Sequence, residues 1–436
     1  MMNSDKLKIY LVSIQYPPNI TGGGGVIVRE LSRELEKKRD DVTVLCFGLQ
    51  DKEEEKVLLS DNDGYFKLQT MRFFAKDSDT LKNPYEGTKQ DEFNRFEEFT
   101  DKVFEYLKDK EGIIHLHGHY LVPLLAKRIK EEGMKNPSVI SYHALESIAL
   151  EAKQVENKQA FEYIREREKL SLGACDLAFV NSNKVKIQLK EMFPEEFNDG
   201  KVVVISNPVN NELVTLHAAT NNAKLDNRKK YNIKEDASLL LSVGRIDKIK
   251  GYDILVDSME TVAKGYTNNL ALVIAGFLED KNKDFYELIN KKAEKIMKNY
   301  PHVNIVFIPN IPNDDKNVFL DDCLLFVGAA ILEPFGITAL ESWVRGKPVV
   351  SSETEGSKDL FDIEGDVESP YEIKDKGIVV NYKGKRDDRL GEAILHILNN
   401  VEEAEKMGKV GKEFVLDKYT WKGIVKTYRD HYKSLL

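Results

Sequence analysis

The sequence predicts an α/β protein with two doubly wound lobes, and three observations lead to this expectation. Short runs rich in β-branched residues alternate with amphipathic helical patterns, the alternation stops at a polar segment, and it then restarts. Strands that alternate with helices are typical of parallel sheets with crossover helices. The 436 residues also exceed the size at which one hydrophobic core keeps growing, so at least two cores are expected.

The predicted elements fall into two series of strands with helices between them. The first series is predicted at residues 8–13, 42–47, 113–117, 139–142, 177–180 and 202–205. The second series is predicted at residues 239–243, 270–275, 303–308, 324–327 and 348–351. The Asn-rich segment 208–236 predicts a linker followed by a surface helix. The charged segment 50–94 predicts a surface hairpin, with a strand within 65–74, and a loop.

Composition excludes several classes of protein. The formal net charge of −9 argues against a general nucleic-acid binder, and it weakens the case for electrostatic docking on a membrane surface. There is no run of about 18 apolar residues, and the start of the chain lacks the form of a signal peptide. Cys46, Cys175 and Cys323 lie far apart, which indicates reduced, buried thiols. We expect a cytoplasmic protein, and the sequence leaves its oligomeric state open.

A glycine-rich loop follows the first predicted strand, within the letters NITGGGG, and its glycines are Gly22, Gly23, Gly24 and Gly25. Glycines let the backbone approach a ligand closely, and the helix that follows favours anions at its N-terminus. The loop is not a dinucleotide fingerprint, because Ile27 and Val28 stand where that motif needs glycine. We interpret it as a loop that contacts phosphate or sugar; the alternative is a flexible turn.

Two cations and two carboxylates follow strands of the second series. Arg245 and Lys250 come after strand 239–243, at the edge of the sheet where α/β folds bind ligands. Glu333 and Glu341 flank the start of a helix near Gly336, and Glu341 lies about 7 Å along that helix. Carboxylates suit hydroxyl-rich ligands, and the cations suit a diphosphate. The alternatives are solvated loop cations, an acidic loop and a solvated helical glutamate.

Histidines end two strands of the first series. His115, His117 and His119 alternate along one strand, which places them on one side of it. A metal triad fits this spacing, but no nearby carboxylate completes a motif. His143 ends the next strand at the same edge; it is either a structural hydrogen-bonding residue or part of the site. The acidic pairs of residues 61–63 and 77–79 lie in the charged segment and are interpreted as solvated loop.

These motifs resemble the retaining glycosyltransferases of GT-B family 4, the family of sucrose-phosphate synthase, trehalose synthase and phosphatidylinositol mannosyltransferase. The resemblance rests on the segments YPPNITGGGG, HLHGHY, SYHALES, SVGRIDKIKG, EPFGITALESWVRGKPVV and YTWKGIVKTYRDHYKSLL. It implies two Rossmann-like lobes facing a cleft, residues 1–212 on the acceptor side and 213–419 on the nucleotide-sugar side. It also implies that helix 420–436 crosses back to the first lobe, whereas a simpler alternative is that this helix caps the second lobe.

The resemblance also implies roles for individual residues. Arg245 and Lys250 hold the donor diphosphate, Glu341 accepts from the ribose hydroxyls, and Glu333 faces the donor sugar. His143 contacts the transferred sugar, and the glycine loop lies by the phosphate and the acceptor. The remaining implied donor-binding residues are Gly244, Phe335, Gly336, Ile337 and Thr338. One departure from the family pattern is segment 353–360, where Gly356 alone matches a glycine-rich element well.

The implied reaction moves a hexosyl group, glucose or mannose, from a UDP-, GDP- or ADP-sugar to a small hydroxyl acceptor with retention and without a metal or other cofactor. The acceptor would be a sugar, sugar phosphate or glycerate derivative. The alternatives are the same chemistry on a lipid or polysaccharide acceptor, a sugar-nucleotide epimerase or hydrolase, and a non-catalytic binding module. The base, the sugar and the acceptor stay open.

Overall fold

Continuous apolar strands give the chain two parallel-dominated sheets. The computed structural model describes residues 6–17, 23–49, 59–60, 68–77, 81, 87–118, 122–143, 145, 147–148 and 158–436. The chain divides into one unit of Met1–Asn207 with Trp421–Leu436 and a second unit of Pro208–Thr420. Each unit holds one sheet with helices around it.

The sheet of the first unit has the strand order β3-β4-β2-β1-β5-β6-β7-β8. Its strands are β1 Lys8–Ser13, β2 Asp41–Phe47, β3 Leu59–Ser60, β4 Gln69–Phe73, β5 Ile113–His117, β6 Ser138–Tyr142, β7 Leu177–Val180 and β8 Val202–Val204. The surrounding helices are α1 Gly23–Lys37, α2 Lys89–Leu107, α3 Val122–Glu131, α4 Lys158–Ala174 and α5 Asn183–Met192. Pairing is parallel except between β3 and β4, which form the hairpin predicted in the charged segment. In register, His117 pairs with both Ser13 and Ser141, so β1, β5 and β6 end side by side.

The sheet of the second unit has the order β11-β10-β9-β12-β13-β15-β14. Its strands are β9 Ser238–Val243, β10 Leu270–Gly276, β11 Val303–Pro309, β12 Leu325–Gly328, β13 Val349–Ser352, β14 Tyr371–Lys374 and β15 Gly377–Val380. Its helices are α6 Asn211–Thr215, α7 Asn221–Lys230, α8 Tyr252–Gly265, α9 Lys283–Asn299, α10 Asn313–Asp322, α11 Ile337–Val344, α12 Glu355–Leu360, α13 Arg386–Asn399 and α14 Val401–Lys418. Leu240 packs into one buried cluster, while Leu239 and Leu241 pack into another. This alternation buries the sheet on both faces, as parallel sheets require.

The last helix, α15 Trp421–Lys433, packs on the first unit. The hydroxyl of Tyr432 lies 2.6 Å from Nδ1 of His115 in β5. Nε of Arg429 donates to Oδ2 of Asp40 at 2.8 Å. The alternative that this helix only caps the second unit is therefore wrong, because its aromatic and charged face meets the first sheet.

The three cysteines are free and buried, as the composition predicts. Burial raises the pKa of the Cys46 thiol to about 11, although the nearby charge of Arg72 acts in the opposite direction. Burial likewise raises the pKa values of Cys175 and Cys323 to about 12. These thiols stay protonated and unreactive at neutral pH.

Candidate active site

The glycine loop and His143 lie against each other in the first unit. Helix α1 begins at Gly23, while Gly22 lies outside the described residues. A Cβ atom placed on Gly24 would lie 3.3 Å from Cδ2 of His143, tighter than most side chains tolerate. The structure thus brings together two features that were identified separately in the sequence.

His143 is hydrogen-bonded to a second histidine. Its Nε2 lies 3.1 Å from Nδ1 of His117, and the two rings are nearly parallel, with centroids 5.3 Å apart. The rings of His115 and His117 lie on the same side of β5, with centroids 4.0 Å apart. His119, the third member of the alternating set, lies outside the described residues.

The deeper histidines are neutral and held by neighbours. Nδ1 of His115 lies near the Tyr432 hydroxyl, and its Nε2 lies 2.8 Å from Oγ of Ser141. Burial, with smaller contributions from neighbouring histidines, lowers the pKa values of His115 and His117 well below the usual range. Within the part of the chain that the structure describes, no group of three His, Cys, Asp or Glu side chains is arranged to hold a metal ion.

The second unit contains a pocket at the carboxyl ends of β9, β12 and β13. Lys250 and Glu333 line it together, with Nζ of Lys250 2.6 Å from Oε2 of Glu333. The other polar residues and glycines that line it are Ser242, Tyr252, Gly328, Gly336, Thr338, Ser351 and Ser352.

A short turn after β9 sets the position of Lys250. Residues Lys248–Lys250 form one 3-10 turn, and Oδ1 of Asp247 accepts from the backbone N–H of Lys250 at 3.1 Å. Gly251 follows with φ of 65°, and a Cβ there would collide with the carbonyl oxygen of Ala329. Only glycine fits this turn, so the Lys-Gly pair directs the lysine into the pocket.

The loop before α11 holds Glu333 in its ionised form. Oε1 of Glu333 accepts from the backbone N–H of Gly336 at 3.1 Å, and Gly336 has φ of 98°. Burial raises the pKa of Glu333, but the charge and hydrogen bond of Lys250 and the amides of Phe335 and Gly336 outweigh it, so the pKa is lowered overall. The carboxylate is thus an acceptor at neutral pH.

Helix α12 packs against the loop that carries Glu333. The N–H of Gly356 donates to the carbonyl oxygen of Glu333 at 2.8 Å. A Cβ on Gly356 would lie 2.6 Å from that oxygen and from the backbone of Phe335. Gly356, the matching residue in an otherwise divergent segment, therefore allows the close packing of two backbones.

Arg245 and Glu341 form ion pairs with other residues, Asp247 and Lys316. The Arg245 side chain is 40% exposed, with Nη2 3.4 Å from Oδ2 of Asp247. The two carboxylate oxygens of Glu341 lie 3.3 and 3.4 Å from Nζ of Lys316 in α10. Neither Arg245 nor Glu341 is among the described residues that line the pocket. Lys316 was missed in the sequence, because its place beside Glu341 depends on how α10 packs near α11.

The other predicted donor-binding residues surround the pocket in different ways. Thr338 lines it, whereas Phe335 is buried with its ring centroid 6.0 Å from that of Tyr419. Ile337 begins α11 and packs against the buried cluster of the second unit. Gly244 leaves room for Lys250, because a Cβ there would lie 3.3 Å from Cε of that lysine.

Of the acidic pairs in the charged segment, the structure describes Asp77 alone. Its carboxylate accepts from Arg95 in α2, with Oδ2 2.8 Å from Nη2. This pairing gives Asp77 a structural partner within the first unit. Residues 61–63 and Asp79 lie outside the described residues.

Two family models match the two halves of the chain. The model of Glycosyltransferase Family 4 matches residues 21–213, and the model of Glycosyl transferases group 1 matches residues 223–414. Each match contains motifs described above: the glycine loop and His143 in the first, and Lys250, Glu333 and Glu341 in the second.

Curated relatives extend over the whole chain at low identity. An uncharacterised glycosyltransferase of Methanocaldococcus jannaschii is 23% identical over 98% of this chain and 98% of its own length. The α-maltose-1-phosphate synthase of Mycolicibacterium smegmatis is 20% identical over 98% of this chain and 100% of its own.

Solved structures share the fold. Sucrose-phosphate synthase of Thermosynechococcus elongatus has a TM-score of 0.75 at 21% identity and covers 99% of both chains. The Anabaena protein HepE, solved with UDP and glucose, has a TM-score of 0.72 at 14% identity over 98% of this chain and 100% of its own.

Fold and sequence together define the class: the protein is a glycosyltransferase with two Rossmann-like lobes of the GT-B type. Within that class the chain belongs to glycosyltransferase family 4. Among the residues that the structure describes, no helix is both long and apolar enough to cross a membrane.

Proposed function

We propose that the protein is a retaining hexosyltransferase that moves glucose or mannose from a nucleotide diphosphate sugar to a small soluble hydroxyl acceptor, forming an α-linkage. A sugar, sugar phosphate or glycerate derivative is the expected acceptor. Two similar proteins, by their names, are synthases of sugar phosphates, and another was solved with UDP and glucose.

The observation that carries this proposal is the pairing of Lys250 with Glu333 in the pocket of the second unit. An ammonium group neutralises the charge that develops on a departing diphosphate, and an ionised carboxylate accepts hydrogen bonds from sugar hydroxyls. In the structure the two groups satisfy each other. A bound donor would exchange part of this contact for contacts to its own phosphate and hydroxyl groups.

Arg245 supplies the second cation. Its partly exposed guanidinium, which is paired with Asp247, would turn to the diphosphate, a group that arginine binds in bidentate fashion. Glu341 would accept from the ribose hydroxyls, since a carboxylate has lone pairs beyond those that face Lys316.

The proposed step is a substitution at the anomeric carbon through an oxocarbenium-like transition state. The bond to the diphosphate oxygen breaks, and Lys250 and Arg245 stabilise the leaving group. The acceptor oxygen bonds to the same face, and a donor phosphate oxygen takes its proton. The enzyme contributes positioning and electrostatic stabilisation, so neither a protein nucleophile nor a metal is required.

In the first unit, His143 would contact the transferred sugar, and the loop of Gly23–Gly25 would lie by phosphate and acceptor. The contact of Gly24 with the His143 ring supports a shared role. A larger residue at position 24 would displace the ring and the ligand with it.

A thermal-shift panel with UDP, GDP and ADP tests the proposal. One nucleotide at about 100 times its dissociation constant should stabilise the protein by roughly 2.7 kcal/mol. The matching nucleotide sugar and an acceptor should then yield an α-linked product by NMR. Stabilisation by none of the three, or conversion of the donor to an epimer without acceptor, would overturn the proposal. Robust binding to anionic liposomes would overturn the proposal that the acceptor is a small soluble molecule.

A further inference from the structure

The His117–His143 pair is asymmetric. Nδ1 of His117 is hydrogen-bonded to Nε2 of His143. The Nε2 atom of His117, by contrast, is buried with no hydrogen-bond partner among the described residues. The His117 side chain is enclosed, since the residue is only 4% exposed. Its neighbour His115, by contrast, has partners on both ring nitrogens.

This asymmetry determines where the protons sit. Burial lowers the pKa of His117 well below the usual range, so the ring is neutral and carries one proton. If that proton were on Nε2, a buried N–H donor would be left unpaired. Orphaned buried N–H groups are rarer in proteins than under-used acceptors. The arrangement with the proton on Nδ1 leaves only an unused lone pair at Nε2.

From this we infer that His117 is a positioning residue that donates its Nδ1–H to Nε2 of His143 and fixes His143 as the Nδ1–H tautomer. The acceptor lone pair of His143 is then occupied, and its ring presents a donor at Nδ1. In the proposed function, on which this role rests, His143 therefore acts toward the sugar as a hydrogen-bond donor and not as a general base.

Neighbouring contacts hold this arrangement in place. The ring of His115 packs 4.0 Å from the ring of His117 and is itself fixed by Tyr432 and Ser141. The carbonyl oxygen of His143 accepts from Nδ2 of Asn181 at 3.0 Å, which fixes the backbone. The ring of His117 is therefore packed on one side, and the backbone that carries His143 is fixed.

Histidine tautomers are read directly by long-range ¹H–¹⁵N correlation on protein labelled with ¹⁵N-histidine. The chain has eight histidines, few enough to assign by single substitutions. We expect His143 with a protonated Nδ1 and an unprotonated Nε2, and His117 protonated at Nδ1. A His143 ring protonated at Nε2 overturns the inference, whether or not the protein transfers sugar.

Two variants separate positioning from folding. Asn places an amide donor where His117 has Nδ1, whereas Leu fills similar space without a donor. H117N should keep the Nδ1–H tautomer of His143, and H117L should lose it. The rate of sugar transfer from the matching nucleotide sugar to its acceptor should fall about tenfold in H117L, the effect of losing one hydrogen bond, and recover in H117N.

Nucleotide binding provides the control, because Lys250 and Arg245, the two residues proposed to bind the diphosphate, belong to the second unit. H117L should retain the wild-type thermal shift with the same nucleotide. An H117N variant as slow as H117L, or an unchanged His143 tautomer in H117L, would overturn the role of His117. Absence of any nucleotide shift in the wild type would instead contradict the proposed function alone.

Discussion

Nζ of Lys250 lies 2.6 Å from Oε2 of Glu333, and the two residues reach this contact from elements 83 positions apart. The lysine ends a turn whose geometry requires glycine at position 251, and the carboxylate is held by the amide of Gly336. The pair therefore has a defined geometry. Preorganised charges of this kind need little rearrangement as a leaving group develops.

Loss of either charge should slow sugar transfer. We expect K250A and E333Q each to reduce turnover by at least about 100-fold, comparable to the loss of one electrostatic contact in a transition state. Lys248 lies in the same turn with an exposed side chain, so K248A is the matched control and should keep wild-type turnover. Unchanged turnover in folded K250A or E333Q would refute the assigned roles.

The lowered pKa of Glu333 makes stability depend on pH in a defined direction. A carboxyl group with a lowered folded pKa contributes stability that is complete above its ordinary value of 4.5 and is lost as the pH falls through the folded value. The difference in unfolding free energy between wild type and E333Q should therefore shrink below pH 4.5. Thermal unfolding of both proteins across the acid range measures this difference. A difference that does not change with pH would contradict the lowered pKa of Glu333.

Gly356 should tolerate no side chain. In G356A the new methyl group would meet the carbonyl oxygen of Glu333 at 2.6 Å, so we expect a loss of about 1–3 kcal/mol in stability and weaker nucleotide binding. G423A is the matched control, since Gly423 is also helical and its Cβ would meet nothing within 4 Å. Equal effects of the two substitutions, measured by urea unfolding, would show that the close packing is unimportant.

Breaking the ion pair between Arg429 and Asp40 should strongly destabilise the first unit. Asp40 has a fully buried side chain, so R429M would leave a buried charge without its cation, at a cost of about 3–5 kcal/mol. Lys426 and Asp430 form an exposed pair on the same helix, and K426A should change stability by less than about 1 kcal/mol. Comparable losses of unfolding free energy in R429M and K426A would contradict the expected difference between the buried and the exposed ion pair.

Turnover should survive treatment with EDTA, because the proposed mechanism assigns charge neutralisation to Lys250 and Arg245. The measurement is the initial rate with the donor before and after chelation, followed by addition of Mg²⁺ or Mn²⁺. A loss that either ion restores would favour a metal site instead, at the alternating histidines or the acidic pairs of the charged segment.

Much of the fold was predictable because buried parallel strands are continuous apolar runs. The first strand was predicted at the residues where it is observed, Lys8–Ser13. The hairpin of β14 and β15 was missed, because β14 is a partly exposed edge strand with mixed polarity, and its partner Gly377–Val380 is only four residues long.

The site was predictable where residues follow strands. Lys250 and Glu333 were identified because parallel strands end at one edge, and the structure places them in contact. The Glu341–Lys316 contact depends on how α10 packs near α11, which the polar sequence of α10 does not reveal. The His117–His143 bond depends on the register of β5 and β6, and a sequence alone does not give that register.

The return of α15 to the first unit also affects the order in which the protein folds during synthesis. The hydroxyl of Tyr432 and the ring of His115 are 317 positions apart, and the entire second unit is translated between them. The ribosome therefore delivers a second unit that is complete in sequence while the first still lacks a buried helix. Although nascent domains generally fold in order from the N-terminus, here the unit that begins first is completed last.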